Sequence, residues 1–388
     1  VYSCSNQDKT EEKTNDGFYI KKEGVLYYQK TDKPVNGKIE EEDEVFSYKK
    51  TYKDGVLNGP DETFFKSGRL FWRKNYKNGK LEGPSESFYE ENGQLFERGR
   101  YVNGSYEGRV DQFYRNGVIK RKDYYKEGLF DGLSETYTDD GKLFSKENYE
   151  RGVHVGLRET YYKSGQLKSK NYTKEGLPHG QWLKYYETGQ LSSKENYKIG
   201  GFNGSQEYYF ENGTLKERQN WVDDNLEGVF ETFNQDGNIM ERKHYKDHSL
   251  HGIREVFVKT DNHPVPQLSL VENYKDGKRD GLYERYYVNG QLWYKENYKD
   301  GVQHGLTENY SEHGLMSRQN YKNGKPYGKG VLINYYPGGQ MRFKKHYKDG
   351  YLYGKRDGLH EEYLPNGDLS SKVCYKDDEE TDTSYCEK

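Results

Sequence analysis

The sequence predicts an all-β fold, an elongated single-layer antiparallel meander of about fourteen β-hairpin repeats, each of about 24 residues. Three observations lead to this prediction. Glycine recurs with a period of about 24 residues, an aromatic residue follows these glycines at a constant distance, and the 388-residue chain contains no alanine. A chain that lacks the strongest helix former and is rich in glycine cannot maintain many long helices, because each interior glycine costs about 1 kcal/mol of helix stability.

The first strand of each repeat is marked by a reference glycine and by an aromatic residue five positions later. Gly37 opens a degenerate first copy, and thirteen regular copies follow. Their reference glycines are Gly59, Gly83, Gly108, Gly132, Gly156, Gly180, Gly204, Gly228, Gly252, Gly281, Gly305, Gly330 and Gly358. Their aromatic residues are Phe64, Phe88, Phe113, Tyr137, Tyr161, Tyr185, Tyr209, Phe233, Phe257, Tyr286, Tyr310, Tyr335 and Tyr363. Because every copy keeps this spacing, the column is typical of a repeat architecture.

The second strand follows a turn of the type Asn-Gly, Ser-Gly, Thr-Gly or Asp-Gly, in which glycine supplies a positive φ. Gly165 and Gly189 are therefore expected at positive φ. Two residues beyond the turn lies an apolar side chain, at Leu70, Leu95, Ile119, Leu143, Leu167, Leu191, Leu215, Ile239, Leu292, Met316, Met341 and Leu369. The strand closes on an aromatic residue, at Tyr76, Tyr149, Tyr172, Tyr197, Trp221, Tyr298 and Tyr321. A second turn, often Lys-Asp-Gly or Lys-Asn-Gly, leads into the next copy.

Two charged columns keep the same register. An acid lies three residues after most reference glycines, as at Glu135, and a base lies near the middle of the second strand, as at Lys146. A two-residue loop would place acid opposite base but send the aromatic and apolar columns to opposite faces. A three-residue loop with a glycine bulge would place aromatic opposite apolar and separate the charges. We prefer the second arrangement, because it gathers the apolar columns on one face.

The hairpins are expected to stack, because an isolated hairpin is marginally stable in water. The core would then be a stripe of Tyr, Phe and Leu, which suits a chain with only 31% hydrophobic residues but 41 Tyr and 16 Phe. The expected organisation is an N-terminal tether at residues 1–16, a repeat array at 17–375 and an acidic tail at 376–388. Two stretches interrupt the period, Val258–Val271 and Tyr351–Asp357, and each is either a tolerated insertion or a binding loop.

Charge and composition exclude several classes of partner. Lys and Arg number 61 against 64 Asp and Glu, a net charge of -3, so no nucleic-acid partner is expected. No apolar run approaches the roughly 18 residues of a membrane span, so membrane association is expected only through a lipid anchor. The oligomeric state cannot be predicted from these features.

The sequence predicts no enzyme, cofactor or metal site. A catalytic pair should occur once in a pocket, whereas the acids recur in eleven copies. His244, His248 and His251 cluster in one turn without the spacing of metal ligands. Rows of tyrosine instead indicate a binding surface, because tyrosine offers a large amphipathic contact area at low entropy cost. The candidate binding residues are Tyr137, Tyr161, Tyr162, Tyr185, Tyr186, Tyr209 and Tyr287.

The repeat resembles the MORN-repeat variant of bacterial proteins labelled YwqK-family antitoxins. The resemblance rests on units such as Asn297–Tyr310, NYKDGVQHGLTENY, and on the dipeptides His179-Gly180, His251-Gly252 and His304-Gly305. It covers roughly residues 24 to 375. It implies a scaffold or adaptor, with phospholipid binding proposed for some members of the wider group, while the antitoxin label implies a toxin partner.

The leading hypothesis is a non-enzymatic scaffold of the cell envelope that binds another protein or a surface polymer. The alternative is an antitoxin or immunity-type protein that neutralises a toxin, which would place the chain in the cytoplasm. Cys374 and Cys386 lie close together near the C-terminal end of the sequence. In an exported protein they could form a disulfide worth about 3 kcal/mol in the chain-entropy model, and two free thiols are the other reading.

Lipidation of Cys4 is the first testable prediction. Val1-Tyr2-Ser3-Cys4 has the aliphatic, small and cysteine positions of a lipobox, and the polar stretch Ser5 to Asp16 would be the tether. Mass spectrometry of the protein from its native cells should find a lipid-modified Cys4 at the mature N-terminus. An unmodified Cys4 still joined to an upstream sequence would reject the anchor.

Overall fold

The computed structural model describes residues 12–13, 19–351 and 354–387. The chain divides into two compact units, residues 1–189 and 190–388, and each is treated by itself. Nearly every element is a β-strand, and all the strand pairs given below are antiparallel.

Unit 1 begins with a four-stranded antiparallel sheet, β1 to β4, and continues as a ladder of hairpins, β5 to β22. Its strands are β1 (Glu12–Lys13), β2 (Tyr19–Lys22), β3 (Val25–Tyr28), β4 (Lys33–Pro34), β5 (Gly37–Glu42), β6 (Phe46–Lys53), β7 (Val56–Phe65), β8 (Leu70–Lys77), β9 (Lys80–Leu81), β10 (Gly83–Phe88), β11 (Leu95–Val102), β12 (Ser105–Tyr106), β13 (Gly108–Phe113), β14 (Ile119–Lys126), β15 (Leu129–Phe130), β16 (Gly132–Tyr137), β17 (Leu143–Glu150), β18 (Val153–His154), β19 (Gly156–Tyr161), β20 (Leu167–Lys174), β21 (Leu177–Pro178) and β22 (Gly180–Tyr185).

Unit 2 repeats the same pattern and ends, within the described residues, on a short 3-10 helix (Thr383–Tyr385). Its strands are β23 (Leu191–Lys198), β24 (Gly201–Phe202), β25 (Gly204–Tyr209), β26 (Leu215–Val222), β27 (Asn225–Leu226), β28 (Gly228–Phe233), β29 (Ile239–Lys246), β30 (Ser249–Leu250), β31 (Gly252–Thr260), β32 (His263–Lys275), β33 (Lys278–Tyr286), β34 (Leu292–Lys299), β35 (Val302–Gln303), β36 (Gly305–Ser311), β37 (Gly314–Lys322), β38 (Lys325–Tyr335), β39 (Met341–Lys348), β40 (Lys355–Arg356), β41 (Gly358–Tyr363), β42 (Leu369–Lys376) and β43 (Glu379–Thr381).

The predicted fold class is confirmed, because both units are antiparallel meanders of hairpin repeats. Gly165 and Gly189 have φ of 91° and 89°, as expected for the first turn. The second turn has two central residues with positive φ, such as Asp300 (49°) and Gly301 (84°). This is the signature of a type I′ turn, whose twist matches that of the flanking strands.

The preferred register was wrong in one respect, since the two charged columns are not separated. Tyr137 lies opposite Leu143, as expected, but Glu135 also lies opposite Lys146. A β-bulge makes both pairings possible, because Phe144 is an extra residue between the two pairs. The aromatic, apolar and charged columns therefore share one face.

One member of the apolar column was also assigned wrongly. Tyr310 lies opposite Leu315, and Met316 is the bulged residue. The turn before it, between Ser311 and Gly314, is shorter than in the other repeats, which shifts the column by one residue.

Buried positions are mostly small or polar rather than large and apolar. Thr63 and Gln206 are fully buried, and Ser134 is 4% exposed, while the aromatic columns are half-buried. A compact apolar cluster occurs in the first strands of unit 1, where Leu26, Val35 and Ile39 pack together. The predicted aromatic stripe is thus a cover over small side chains, as suits a sheet without a second layer.

Side chains connect each repeat to the next through backbone groups. The Asn297 amide donates to the carbonyl of Leu306 (3.0 Å), and the Tyr287 hydroxyl donates to that of Tyr310 (3.0 Å). The acidic side chain before the reference glycine accepts a hydrogen bond from a backbone amide of the next type I′ turn. These pairs are Glu82 with the Asn103 amide, Glu107 with Glu127, Asp131 with Arg151, Glu227 with Asp247 and Asp280 with Asp300. These bonds satisfy backbone groups that the kinked ladder leaves unpaired.

The two interruptions of the period differ in form. The stretch Val258–Val271 extends a regular hairpin, because β31 and β32 lengthen and turn at residues 261 and 262. In the stretch Tyr351–Asp357, residues 352 and 353 lie outside the described residues.

Cys374 and Cys386 form a disulfide, with 6.1 Å between their Cα atoms. Cys374 is 1% exposed and lies opposite Leu359, where other repeats carry the bridging asparagine. The bond fastens β43 and the 3-10 helix to the last long strand, β42.

The type I′ turn at Ile199 gives a second prediction. Ile199 is a β-branched residue with φ of 47° and an exposed side chain, in a position that favours Asn, Asp or Gly. Ile199→Asn should stabilise the flanking strands by about 1 kcal/mol, because a β-branched residue pays about that much in the left-handed region, whereas Asn adopts this conformation readily. Hydrogen exchange of the β23 and β24 amides measures the change. The reciprocal change Asp300→Ile should weaken protection in β34 and β35, and unchanged exchange in both variants would contradict the turn assignment.

Candidate binding surface

Two faces of the sheet carry different chemistry, because cross-strand partners project to the same side. The charged face carries the acid, base, aromatic and apolar columns, represented in one repeat by Glu135, Lys146, Tyr137 and Leu143. The aromatic face carries the closing aromatic column, represented by Tyr149. The assignment of Tyr172 to this column was wrong, because Tyr172 lies opposite Leu157 on the charged face and Thr173 takes the place opposite the reference glycine Gly156. Any partner that binds the sheet meets one of these two faces.

Charges alternate in a row across the strands of the charged face. In unit 1 the row runs through Glu40, Lys49, Glu62, Arg73, Glu86, Arg98, Asp111, Lys122, Glu135, Lys146, Glu159 and Lys170 and then meets Leu183. In unit 2 it runs through Lys194, Glu207, Arg218, Glu231, Arg242 and Glu255, is interrupted by Val271, and resumes through Glu284, Lys295, Glu308 and Arg318. Opposite charges facing each other contribute about 0.2–1 kcal/mol per pair.

The best-buried acid of this row in unit 2 is Glu231, whose side chain is 6% exposed. Its carboxylate accepts from Arg242 Nε at 2.9 Å and from the Arg218 guanidinium. Burial raises the pKa of Glu231, but the hydrogen bonds from the two arginines outweigh it and hold the pKa below its ordinary value. Glu231 is therefore ionised at neutral pH.

The first row of candidate tyrosines is bonded to this ladder. The Tyr137 hydroxyl donates to Glu135 (2.8 Å) and accepts from Lys122 Nζ (2.6 Å). Burial and the bond to Glu207 raise the pKa of Tyr209 to about 12. The same tyrosine-to-acid bond joins Tyr161 to Glu159, Tyr209 to Glu207, Tyr286 to Glu284 and Tyr310 to Glu308. Tyr185, in the same column, is half-buried, and its carbonyl accepts from the Tyr162 hydroxyl.

The second row of candidate tyrosines connects successive repeats. Tyr162 donates to the carbonyl of Tyr185 at 2.7 Å, and Tyr287 bonds Tyr310 in the same way. Tyr186 is half-buried, and its carbonyl accepts from the Gly189 amide. The seven candidates are therefore spread along the repeats rather than gathered in one pocket. They offer ring surface to a partner, while the hydroxyls of five of them are engaged within the protein.

Each unit has its own open furrow on the charged face, beside the charged row. In unit 1 it encloses about 360 Å³ and is lined by Pro84, Ser85, Glu86, Arg98, Gly99, Arg100, Arg109 and Asp111. In unit 2 it encloses about 740 Å³ and is lined by Ser205, Arg218, Gln219, Asn220, Val229, Glu231, Arg242, His244, Ile253 and Glu255. Exposed apolar and aromatic side chains on the same face, among them Tyr124, Tyr172, Val229 and Ile253, add contact area.

The aromatic face carries a line of rings in contact. In unit 1 the line runs through Tyr101, Tyr106, Tyr125, Phe130, Tyr149 and His154, with successive centroids 4.2 to 5.5 Å apart. Because each ring covers its neighbour, the face of each ring is used within the sheet. This face is better suited to holding repeats together than to meeting a ligand.

The described residues contain no group of three or more His, Cys, Asp and Glu side chains placed to hold a metal ion. His244 Nδ1 forms a hydrogen bond with the carbonyl of Ile253 (2.8 Å), and His251 Nδ1 forms one with Asp276 Oδ1 (3.2 Å). Both histidines therefore take part in contacts between repeats. No helix in the described part of the chain has the length and hydropathy of a membrane span. Cys4, the predicted lipidation site, lies outside the described residues.

Two furrow residues were not identified from the sequence. Arg100 stands at the position of Asn148 and Arg109 at the position of Leu133, and no other regular copy carries arginine at either position. The signal that could have found them is an arginine at two positions where the other regular copies carry none.

Nine segments of the chain match the family described as MORN repeat variant. They are residues 106–127, 130–151, 155–175, 178–198, 202–223, 226–247, 279–300, 329–349 and 356–377, together about half of the chain. A search of curated proteins found no match.

Three solved structures align with most of this chain at low similarity. They are the crystal structure of TcdB2-TccC3 (11% identity, TM-score 0.17), that of TcdB2-TccC3-Cdc42 (12%, 0.18) and a crystal structure titled as the eukaryotic initiation factor (12%, 0.14). The alignments cover 94%, 94% and 96% of this chain and 26%, 22% and 96% of the other chains. The chain thus spans about a quarter of the first two.

Acid should weaken the contacts of Glu231, which gives a third prediction. A carboxylate whose pKa is lowered on folding contributes stability above its unfolded pKa of about 4.5 and loses that contribution as the pH falls through the folded value. Glu231→Gln should lower the free energy of unfolding by only about 1–2 kcal/mol at pH 7, because the two arginines stay hydrated. The difference in unfolding free energy between wild type and variant should become smaller below about pH 4.5. Urea unfolding across pH 3–7 measures it, with the exposed Glu211→Gln as control. A gap that stays constant with pH would show that the ion pairs do not stabilise the fold.

Proposed function

This chain belongs to the MORN repeat variant family, a non-catalytic repeat scaffold, and we propose from that premise that it binds another macromolecule along its charged face. The partner is a protein or a surface polymer, and contact spreads over several repeats rather than entering one pocket. Rings of the tyrosine columns and the open furrow supply the area, while the alternating charges fix the register of the partner.

One observation carries this proposal. The aromatic face is used within the sheet, since its rings contact each other, while the charged face leaves a furrow and exposed side chains such as Tyr172, which is 44% exposed. Exposed aromatic rings beside polar groups are typical of protein interfaces. The acids of this face recur in eleven of the thirteen regular copies, which suits a lattice rather than a single catalytic pair.

The cell envelope is the proposed location. The disulfide between Cys374 and Cys386 supports it, because disulfides persist in oxidising compartments and are rare in the cytosol. Anchoring through Cys4 would be consistent with the same location. A cytoplasmic antitoxin that neutralises a toxin is the alternative, and it would have to keep the Cys374 and Cys386 thiols reduced.

A photo-crosslinking experiment tests the face and the location together, and this is a fourth prediction. A benzophenone amino acid replaces Tyr172 on the charged face in one variant of the full chain. In the control it replaces Arg158, whose side chain is 46% exposed on the opposite face of the same hairpin. Irradiation with envelope and cytosolic fractions of the native host should give adducts from position 172 with an envelope component and none from position 158.

Adducts from position 158 alone, or equal adducts from both positions, would overturn the choice of face. A single adduct from the cytosolic fraction, with none from the envelope, would favour the antitoxin alternative.

A further inference from the structure

Two neighbouring positions of unit 1 carry arginine where no other regular copy of the repeat does. Arg100 replaces the residue that is Asn148 in a regular repeat, and Arg109 replaces the residue that is Leu133. Both lie on the charged face and both line the unit 1 furrow. Because no other regular copy carries arginine at either position, these two arginines are not needed for the stacking of the hairpins.

The two substitutions bring three guanidinium groups to one furrow, because Arg98 of the charged row also lines it. Asp111, whose side chain is 4% exposed, accepts from Arg98 Nη2 (2.9 Å) and Arg109 Nε (2.6 Å). Glu86 also lines the furrow, and its carboxylate lies 3.7 Å from the guanidinium of Arg73, the preceding member of the charged row. Among the residues that the structure describes, no carboxylate lies within 4 Å of the Arg100 guanidinium, and Arg100 is exposed.

The donors of this cluster exceed its acceptors. Each guanidinium carries five N–H donors in a planar fork, so the three present fifteen, and Asp111 takes only a few of them. Arg98 also lies over the Phe113 ring, 5.4 Å from its centroid, and all three arginines line an open furrow of about 360 Å³. Forked donors match the oxygens of phosphate and sulfate, which accept several charge-assisted bonds at once.

We propose that Arg98, Arg100 and Arg109 bind a phosphate or sulfate ester carried on a soluble sugar. The sugar ring packs on Tyr124, which lies opposite Arg109 and is 41% exposed. A flat membrane surface would need basic residues along the whole face, whereas the charged row alternates in sign. This ester site does not depend on the macromolecular partner proposed above, and ester binding is measured with the protein alone.

Isothermal titration calorimetry of the full chain with glucose 6-phosphate, glucose 6-sulfate and unmodified glucose tests the site, and this is the fifth prediction. At least one of the two esters should bind, and glucose should not. Arg100→Asn should fold with an unchanged melting temperature, because no carboxylate of the described residues lies within 4 Å of Arg100, and it is the main test. Arg109→Leu removes one of the two arginines that pair with the buried Asp111, so its melting temperature should fall while the hairpin ladder stays intact. Each should weaken ester binding at least tenfold. Arg158→Gln, on the opposite face, removes a comparably exposed charge and should leave binding unchanged.

Equal ester binding in wild type, Arg100→Asn and Arg109→Leu would overturn the assignment, as would binding of glucose at the same strength. Absence of binding by both esters at millimolar concentration would do the same. Phosphatidylglycerol vesicles form a separate arm: capture that Arg100→Asn abolishes, without binding of either soluble ester, would assign the furrow to membranes and refute the proposal. None of these outcomes bears on the crosslinking result, so the two proposals fail separately.

Discussion

Hydrogen bonds that pass from one hairpin to the next organise this protein. A single sheet has no second layer to cover it, so each repeat must find its missing partners in its neighbours. Near a reference glycine such as Gly156 the pairing with the preceding strand is interrupted, between the pairs Tyr149–His154 and Lys146–Glu159, and the freed backbone groups cannot remain unpaired. Asparagine, tyrosine and acidic side chains supply the bonds, as Asn297, Tyr287 and Asp280 show. The columns of the sequence follow directly from this requirement.

The local rules of the hairpin were readable from the sequence, while the exact pairing was not. Glycine after Ser, Thr, Asn or Asp predicts a turn because few other residues accept positive φ, and Gly165 and Gly189 bear this out. Counting loop residues could not reveal that Phe144 bulges out after the turn. A bulge depends on cross-strand packing on both sides, which no single hairpin sequence specifies. The same limit explains why Met316 was placed one residue from the true pair, Leu315.

The candidate binding surface likewise has residues that the sequence predicted and residues that only the structure revealed. Tyr137 and Tyr162 were selected because they recur, and recurrence identified residues that bond neighbouring parts of the sheet. Arg100 and Arg109 do not recur, and only the fold brings them beside Arg98. In a repeat protein the residues shared by all copies build the scaffold, and residues that differ in one copy can form a site on it. Periodicity alone therefore predicts the first far better than the second.

The disulfide at Cys374 bears on how such a gene can change in length. A duplicated block of one repeat inserted at a joint such as that of Asn297 would find a donor and an acceptor already in place, because the Asn297 amide bonds the carbonyl of the next copy. At Cys374 the side chain that elsewhere donates to the next copy is committed to Cys386 instead. A copy inserted there would meet no donor. Recombination can accordingly lengthen or shorten the interior of the array by whole repeats, while this joint resists duplication.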